Sequence, residues 1–400
     1  MKNMDQTSRR VYGAGHKKRK KRFAAVLLMI AAVCLLTGCG GGEAPETGEM
    51  DRDISASLTY ESSMELTYAE KFSVDYYTDD YALVTIPEDG RFLVVPKGKE
   101  APEDLDDDIT VLKKPLENIY LVASAVMDMF VSLDALDSVR FSALKTDSWY
   151  IEEAKAAMEA EDILYAGQYS APDYERILAE NCKLAIENTM IYHTPEVKEQ
   201  LEKFGIPVMV DYSSYEPNPL GRTEWVKLYG LLTDKEEDAA EVFAQEAAAF
   251  ESIREAEKSG KTVAFFYITS NGEANVRKSS DYLPKMIEMA GGSYVFDHLG
   301  DEEDTASSTI SMQMEEFYAA AKDADYVIYN STIDGELHSV EELLGKSPLL
   351  KNFRAVQEGN VFGTTKNLYQ SSMELGTIIS DIHKMMTGDE ENLTYIYRLE

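Results

Sequence analysis

The longest helical pattern in the chain runs from Thr233 to Gly260. Apolar residues recur along it at spacings of three and four, which is the period of one face of a helix: Ala239, Phe243, Ala247, Phe250 and Ile253. Thr233 and Glu236 match a capping box, and Gly260 is suited to end the helix. We therefore predict one long helix over residues 233–259, roughly 40 Å in length at ~1.5 Å per residue.

Strand and helix patterns alternate on both sides of this helix. Before it, the pattern predicts strands at 119–123, 183–186 and 206–210, and helices at 125–136, with Ser124 as N-cap, 174–181 and 195–204. After it, the pattern predicts strands at 262–268, 326–329 and 361–363, and helices at 281–290 and 314–322. Such alternation is typical of parallel α/β structure. We predict two Rossmann-like lobes, residues 65–232 and 260–400, each a mostly parallel sheet flanked by helices, joined by the single long helix 233–259 with a ligand cleft between them.

The predicted first lobe opens with a small β unit. Segments 72–77, 81–86 and 91–96 have strand patterns, and turn-forming residues separate them. Residues 39–64 before this unit are rich in Gly, Glu, Thr and Ser and show no period. That composition predicts a flexible tether.

The beginning of the chain has the pattern of a secretion signal. A basic run at 17–22 precedes an apolar run at 23–36, which is too short to span a bilayer comfortably. The next residues, Leu36-Thr37-Gly38-Cys39, are similar to the lipobox of bacterial lipoproteins. This similarity implies a signal peptide over residues 1–38, a lipid on Cys39, and anchoring on the extracytoplasmic face of the cell membrane.

The charge of the chain excludes one class of partner. Lys and Arg number 39 and Asp and Glu 72, a net charge of −33. Cleavage before Cys39 removes nine basic residues and one acidic residue, which leaves 30 against 71 and a net charge of −41. Phosphate binding needs a clustered basic face, so nucleic acid is not a predicted partner. Cys182 would be the one thiol outside the signal and the lipid site, so no internal disulfide is predicted.

Catalytic motifs are missing from the sequence. It contains no G-x-S-x-G, no Walker phosphate loop, no H-E-x-x-H and no C-x-x-C. His193, His298, His338 and His383 lie far apart along the chain, which disfavours a zinc or manganese site. We predict no enzyme activity, no metal held by the protein alone and no cofactor.

The best ligand-binding candidate is Arg277, in the loop that follows the first strand of the second lobe. Open α/β sheets bind ligands at the carboxyl ends of their strands, and an arginine there offers a bidentate contact to an anion. Aromatic residues in polar loop sequence are further candidates: Trp149, Tyr150, Tyr169 and Tyr215 in the first lobe, and Tyr267, Tyr282 and Tyr369 in the second. The chain has 24 tyrosines, so each of these is equally typical of a core or a rim.

Four short sequence segments resemble a known family, and the resemblance covers roughly residues 116–386. They are SAVMDMFVSLDALDSV from Ser124, YAGQYSAPDYERIL from Tyr165, ADYVI from Ala324 and FRAVQEGNVF from Phe353. In this order behind a lipobox, they resemble the ABC-transporter substrate-binding proteins whose lobes are joined by a helix, the iron-siderophore, haem and cobalamin binders. The second segment departs from the family, which usually continues with Pro-Asp where this chain has Cys182-Lys183.

The resemblance implies a monomeric receptor that captures an iron complex, a ferric siderophore first, and hands it to a permease driven by a cytoplasmic ATPase. Haem and cobalamin are the alternatives within the class. A cleft rich in tyrosine suits haem as well as a ferric chelate, since tyrosinate can ligate ferric iron. In this family an acid early in one helix of each lobe docks on permease arginines. The matching residues are Glu175 and either Glu315 or Glu316, although acids also suit the first turn of any helix.

Two alternative functions from other functional classes remain. A surface lipoprotein enzyme on the same scaffold is disfavoured by the missing catalytic motifs. An adhesion or interaction module would not need two lobes of the same pattern.

Overall fold

A computed structural model of the 400-residue chain describes residues 52–254, 258–300 and 308–400. The predicted signal peptide, Cys39 and the predicted tether as far as residue 51 lie outside these described residues. Among the helices that are described, none is both long enough and apolar enough to cross a membrane.

Within the described residues, strands and helices alternate along most of the chain. The strands are β1 (Tyr60–Ser63), β2 (Ser73–Tyr77), β3 (Tyr81–Ile86), β4 (Gly90–Val95), β5 (Ile109–Lys113), β6 (Ile119–Leu121), β7 (Val139–Ser142), β8 (Leu164–Tyr165), β9 (Gly167–Gln168), β10 (Ala171–Pro172), β11 (Ala185–Asn188), β12 (Val208–Asp211), β13 (Thr262–Ile268), β14 (Ala274–Arg277), β15 (Ser293–Tyr294), β16 (Thr309–Met312), β17 (Tyr326–Tyr329), β18 (Val361–Thr364) and β19 (Ile396–Arg398). The helices are α1 (Val126–Ser132), α2 (Glu152–Glu159), α3 (Tyr174–Ala179), α4 (Pro195–Lys203), α5 (Pro219–Glu224), α6 (Val226–Leu232), α7 (Glu236–Arg254), α8 (Tyr282–Met289), α9 (Met314–Ala321), α10 (Ser331–Asp334), α11 (Val340–Lys346), α12 (Arg354–Glu358) and α13 (Leu375–Thr387).

The first sheet, which we call the N-terminal sheet, has the order β1-β2-β3-β4-β5 and is antiparallel except for the parallel pair β4–β5. Its first strand falls inside the predicted tether, so that prediction is wrong for this part of the chain. Ile54 and Leu58 are buried against the sheet, and the Asp104 carboxylate accepts hydrogen bonds from Ser55 Oγ (2.6 Å) and the Ala56 amide (2.8 Å). Two isolated apolar residues therefore order a segment whose composition predicts a flexible linker.

The sheet of the first lobe has the order β12-β11-β6-β7-β8, and every pair in it is parallel. Apolar residues cover both of its faces, as expected for a parallel sheet between helices. The predicted N-cap of α1 is wrong: the helix begins at Val126 after Ala125, and no side chain caps it. Pro195 at the start of α4 is where the sequence predicts a helix to begin.

The sheet of the second lobe has the order β16-β14-β13-β17-β18-β19, and β15 pairs with β13. The central strands β13, β17 and β18 are parallel, and β15 is parallel to β13. Strands β14 and β19 run against them, and β16 pairs antiparallel with β14 and so runs in the direction of the central strands. The predicted α/β fold of two lobes built on mostly parallel sheets is thus confirmed. The second lobe also contacts the first directly, because Ser372 Oγ donates to the Ala125 carbonyl (2.6 Å) and Gln370 Nε2 to the Ser148 carbonyl (2.9 Å).

The inter-lobe helix α7 has 19 residues and is about 28 Å long at ~1.5 Å per residue, shorter than predicted. It packs against α6 and α13. The predicted capping box is wrong, because the Thr233 hydroxyl donates to the Tyr229 carbonyl (2.7 Å) and so closes α6. Asp234 then takes a positive φ of 58°, which turns the chain before α7 begins. At the other end residues 258–260 are not helical, and 255–257 lie outside the described residues.

Candidate ligand-binding cleft

A cavity of about 240 Å³ lies between the two lobes. Residues just after β6 and at the ends of β11 and β12 line its first side, which is the edge where parallel sheets bind ligands. The polar residues around it are Ser124, Asn188, Asp211, Ser214 and Arg222 from the first lobe, and Arg277, Asp281, Tyr282, Ser308 and Tyr369 from the second. The cleft predicted from the two-lobe pattern is therefore present.

Arg277 stands at the end of β14 and organises the second-lobe side of the cavity. Its Nη1 donates to Asp281 Oδ2 (3.2 Å) and to Ser308 Oγ (3.0 Å), and its Nη2 donates to the Tyr369 hydroxyl. Asn330 Nδ2 also donates to that hydroxyl, at 2.9 Å. Burial raises the pKa of Tyr369 to about 12, although the Arg277 charge works in the opposite direction. The phenol is therefore neutral at physiological pH.

Arg222 brings a second guanidinium to the cavity from α5 in the first lobe. The residue is only 3% exposed, and its guanidinium carbon lies 4.4 Å from the centre of the Tyr282 ring. Its Nη2 lies 3.4 Å from the Tyr369 carbonyl oxygen, and its Nε finds no hydrogen-bond partner among the described residues. A buried guanidinium with an unused donor is costly unless a ligand satisfies it.

The two cavity aspartates are engaged by the protein itself. Asp211 Oδ1 accepts from Ser213 Oγ (2.6 Å), and its Oδ2 accepts from the Tyr229 hydroxyl (2.6 Å). Burial raises the pKa of Asp211. Asp281 caps α8 by accepting from the Leu283 amide (2.9 Å) with the oxygen that does not face Arg277. The guanidinium and phenol groups are therefore left to meet a ligand, beside the side chains of Ser124, Asn188 and Ser214.

Three of the eight ligand-binding residues predicted from the sequence line the cavity: Arg277, Tyr282 and Tyr369. The sequence analysis missed Arg222. The available signal was the charged residues Arg222, Glu224 and Lys227 inside the largely apolar stretch 219–232, since charges are rarely buried unless they are paired or functional.

Two of the other predicted residues lie near the contact between the lobes and do not line the cavity. Trp149 is 2% exposed, and its Nε1 donates to Ser142 Oγ (3.1 Å) within the core. The Tyr150 side chain is exposed, while its backbone amide donates to Gln370 Oε1 (2.9 Å).

The remaining three predicted tyrosines pack elsewhere. Tyr169 lies against the apolar cluster on the outer side of the first-lobe sheet, and Tyr267 packs against the main core from β13. Tyr215 follows the cavity residue Ser214, and its hydroxyl is 3.0 Å from Thr189 Oγ1. None of the three belongs to the cavity lining.

The predicted docking acids occupy matching places in the two lobes. Glu175 lies in the first turn of α3, and Glu315 and Glu316 lie in the first turn of α9. All three side chains are exposed. In the part of the chain that the structure describes, no group of three or more His, Cys, Asp or Glu side chains is placed to hold a metal ion.

Comparison with known proteins decides the family. Residues 122–368 match the family model described as periplasmic binding protein. The chain belongs to the periplasmic binding protein family. The match covers both sides of the cavity and leaves the N-terminal sheet outside it.

Individual relatives of this periplasmic binding protein are distant. An uncharacterized lipoprotein of Methanocaldococcus jannaschii is 24% identical over 395 residues, covering 90% of this chain and 93% of the relative. Among solved structures, an ABC-type Fe³⁺-hydroxamate transport protein of Saccharomonospora viridis has 20% identity and a TM-score of 0.52, covering 67% of this chain and 92% of its own. A periplasmic haem-binding protein of Vibrio cholerae has 18% identity and a TM-score of 0.52, covering 66% and 97%. At these identities the structures share the fold.

Proposed function

We propose that this protein is the extracytoplasmic substrate-binding lipoprotein of an ABC importer and that it captures a ferric siderophore-type iron complex. The observation that carries the proposal is the meeting of Arg222 and Arg277, one from each lobe, beside Tyr282 and Tyr369. Guanidinium groups bind anionic oxygens in bidentate fashion, and the oxygen ligands of a ferric chelate carry negative charge. A ligand that contacts both arginines would hold the lobes together.

The protonation of Tyr369 in the ligand-free protein favours a chelate over a tetrapyrrole. Axial ligation of haem by tyrosine needs the tyrosinate, whereas burial raises the pKa of Tyr369 to about 12. The haem-binding and hydroxamate-transport proteins of the same fold keep haem as the alternative, with cobalamin behind it.

Delivery would follow the route that the family implies. Cys39 would carry the lipid anchor, and Glu175 with Glu315 or Glu316 would meet arginines of the permease as the loaded monomer docks. The protein would break no bond in this cycle. A surface lipoprotein enzyme remains a less favoured alternative.

A titration of the purified protein tests the ligand class. Ferrioxamine B, a ferric tris-catecholate, haemin and cyanocobalamin are added separately while tyrosine and tryptophan fluorescence is followed. We expect a ferric chelate to bind, and expect Arg277→Gln and Arg222→Gln each to weaken it about 10- to 100-fold, because a hydrogen bond to a charged group contributes ~1.5–3 kcal/mol.

Arg140→Gln is the matched control, because Arg140 pairs with Glu180 (2.6 Å) and does not line the cavity. It should leave the affinity unchanged. Binding of haemin or cyanocobalamin alone would replace the siderophore proposal by the corresponding alternative. Failure of all four ligands to bind would overturn it.

A further inference from the structure

The N-terminal sheet and the segment that follows its first strand lie before the family match, yet their contacts converge on the wall of the cavity. The wall concerned is residues 211–224, which run from the end of β12 through α5. This segment carries three cavity residues, Asp211, Ser214 and Arg222. We refer to it as the cavity wall.

The first contact is made by Glu224, at the end of the cavity wall. Its side chain is fully buried, and its Oε2 accepts hydrogen bonds from the backbone amides of Tyr68 (2.7 Å) and Ala69 (2.9 Å). The Thr67 amide donates to both carboxylate oxygens at 3.0 Å, and Lys227 Nζ donates to Oε1 at 2.7 Å. One carboxylate thus holds three consecutive residues between β1 and β2.

The second contact is made by Glu216, in the middle of the cavity wall. This side chain is also fully buried, and it accepts from the Glu70 amide (2.9 Å), the Lys71 amide (3.0 Å) and Trp225 Nε1 (2.8 Å). Phe72 extends the contact, because its ring centre lies 4.9 Å from that of Trp225. Five consecutive backbone amides, from residue 67 to residue 71, therefore point at two carboxylates of the cavity wall.

Gly221 allows this close approach. A Cβ at this position would lie 2.7 Å from the Tyr68 carbonyl oxygen and 3.1 Å from Glu216 Oε2. The nearest atom belongs to the backbone and cannot move aside by a side-chain rotation. A larger residue at position 221 would therefore push residue 68 away from α5. Arg222 is the next residue along the helix.

The third contact lies at the other end of the cavity wall, in the turn between β3 and β4. Asp89 Oδ2 accepts from the Val210 amide (2.7 Å), and Asp89 Oδ1 accepts from Lys198 Nζ (2.5 Å). Val210 lies on the edge strand β12, one residue before the cavity residue Asp211. The N-terminal sheet therefore supplies the partner that the edge of this strand needs.

We propose that the N-terminal sheet, with residues 64–72, is a positioning element for the ligand cavity. Asp89, Glu216 and Glu224 act as positioning residues that hold the cavity wall at both ends, and so set where Arg222 stands relative to Arg277. The inference rests on the proposed function only in taking this cavity as the ligand site.

Hydrogen exchange of the full protein without ligand tests the inference. In Glu224→Gln, one of the two carboxylate oxygens that accept from backbone amides is replaced by an NH₂ group, which can only donate. Gly221→Ala adds the Cβ that clashes with the Tyr68 carbonyl oxygen. Both variants should raise exchange rates across residues 211–224 about tenfold or more, including residues 211–215, which lie far along the chain from the altered side chain. Asp89→Asn should do the same from the opposite end.

Asp381→Asn is the matched control for a purely structural effect. Asp381 is a buried carboxylate of the second lobe that accepts from the Thr394 (2.7 Å) and Tyr395 (2.6 Å) amides. It should lower the melting temperature and raise exchange near residues 394–395 while leaving 211–224 unchanged. If Glu224→Gln does not fold, Gly221→Ala and Asp89→Asn decide the question.

Unchanged exchange over residues 211–224 in the folded variants would overturn the proposal. A rise of equal size throughout both lobes would do so as well, because it would mean that the sheet contributes only global stability. The measurement needs no ligand, so failure of the ferric-chelate titration would leave this test intact.

Discussion

Glu187 offers a direct test of the burial that the structure assigns to the first-lobe sheet. The residue lies on β11, is 0% exposed, and neither of its carboxylate oxygens has a hydrogen-bond partner among the described residues. Burial raises its pKa to about 8. Its charge in turn helps to raise the pKa values of Tyr120 and Tyr174 nearby. Glu187→Gln keeps the shape and removes the charge.

The sign and size of the effect follow from the pKa shift. The folded protein binds the proton more tightly than the unfolded chain, so the free energy of unfolding falls as pH rises from about 4.5 to about 8. At ~1.4 kcal/mol per pKa unit, ionisation of Glu187 costs the folded state about 3 kcal/mol at pH 7 and about 5 kcal/mol above pH 8. The Gln variant escapes this penalty, and its own unsatisfied amide costs roughly 1–3 kcal/mol at every pH.

Urea unfolding followed by tryptophan fluorescence measures the difference. Both tryptophans of the chain, Trp149 and Trp225, are buried in the first lobe and report its unfolding. The stability of Glu187→Gln relative to the natural protein should rise by several kcal/mol between pH 5 and pH 8.5. The exposed neighbour variant Glu196→Gln should show no such rise. A Glu187→Gln difference that is the same at both pH values would refute the reasoning.

Three further predictions concern the anchor, the motion and the docking. Cys39→Ala should release the protein from the membrane or leave the precursor uncut, and normal retention of a mature-sized protein would contradict the lipobox. X-ray scattering with and without ligand should show only modest closure, because α7 and the contacts of residues 370–373 resist a wide hinge motion; a large change in the radius of gyration would contradict this. Glu175→Arg combined with Glu316→Arg should bind ligand normally and fail to support uptake, since both charges would then repel permease arginines. Uptake at the natural rate would remove the docking assignment.

The fold was largely predictable because burial imposes a period on the sequence. Strand β13 and helix α9 stand where the apolar pattern predicts them to within a residue. Thr233 shows the limit of local patterns, because the same hydroxyl can cap the helix after it or close the helix before it. The choice depends on the positive φ of Asp234, which the sequence does not reveal. Ile54 and Leu58 show another limit, since two isolated apolar residues order a segment only once a sheet exists to cover them.

A ligand-binding residue could be predicted from the sequence only where a charged side chain follows a predicted strand. Arg277 was found by that rule, whereas Arg222 lies within a helix 55 positions earlier and meets Arg277 only because the lobes face each other. Trp149 illustrates the opposite error. An aromatic residue in polar sequence was predicted to reach the ligand, but the Ser142 hydroxyl accepts its indole N–H and draws it into the core.

The composition of the chain would by itself point away from the ligand with anionic oxygens that we propose. A net charge of −33 implies a surface that repels anions, yet the cavity presents two guanidinium groups. The difference arises from distance, because surface charges more than about 10 Å away are largely screened at 0.1 M salt, whereas buried groups are screened much less. Of the two cavity carboxylates, Asp281 pairs with Arg277 at 3.2 Å and also accepts from the amide at the start of α8, whereas Asp211 is engaged by Ser213 and Tyr229 and leaves Arg222 without a carboxylate hydrogen bond among the described residues. The proposed preference of the cleft for the anionic oxygens of a chelate would therefore depend on how the nearest carboxylates are paired and hydrogen-bonded, a property that neither net charge nor residue spacing records.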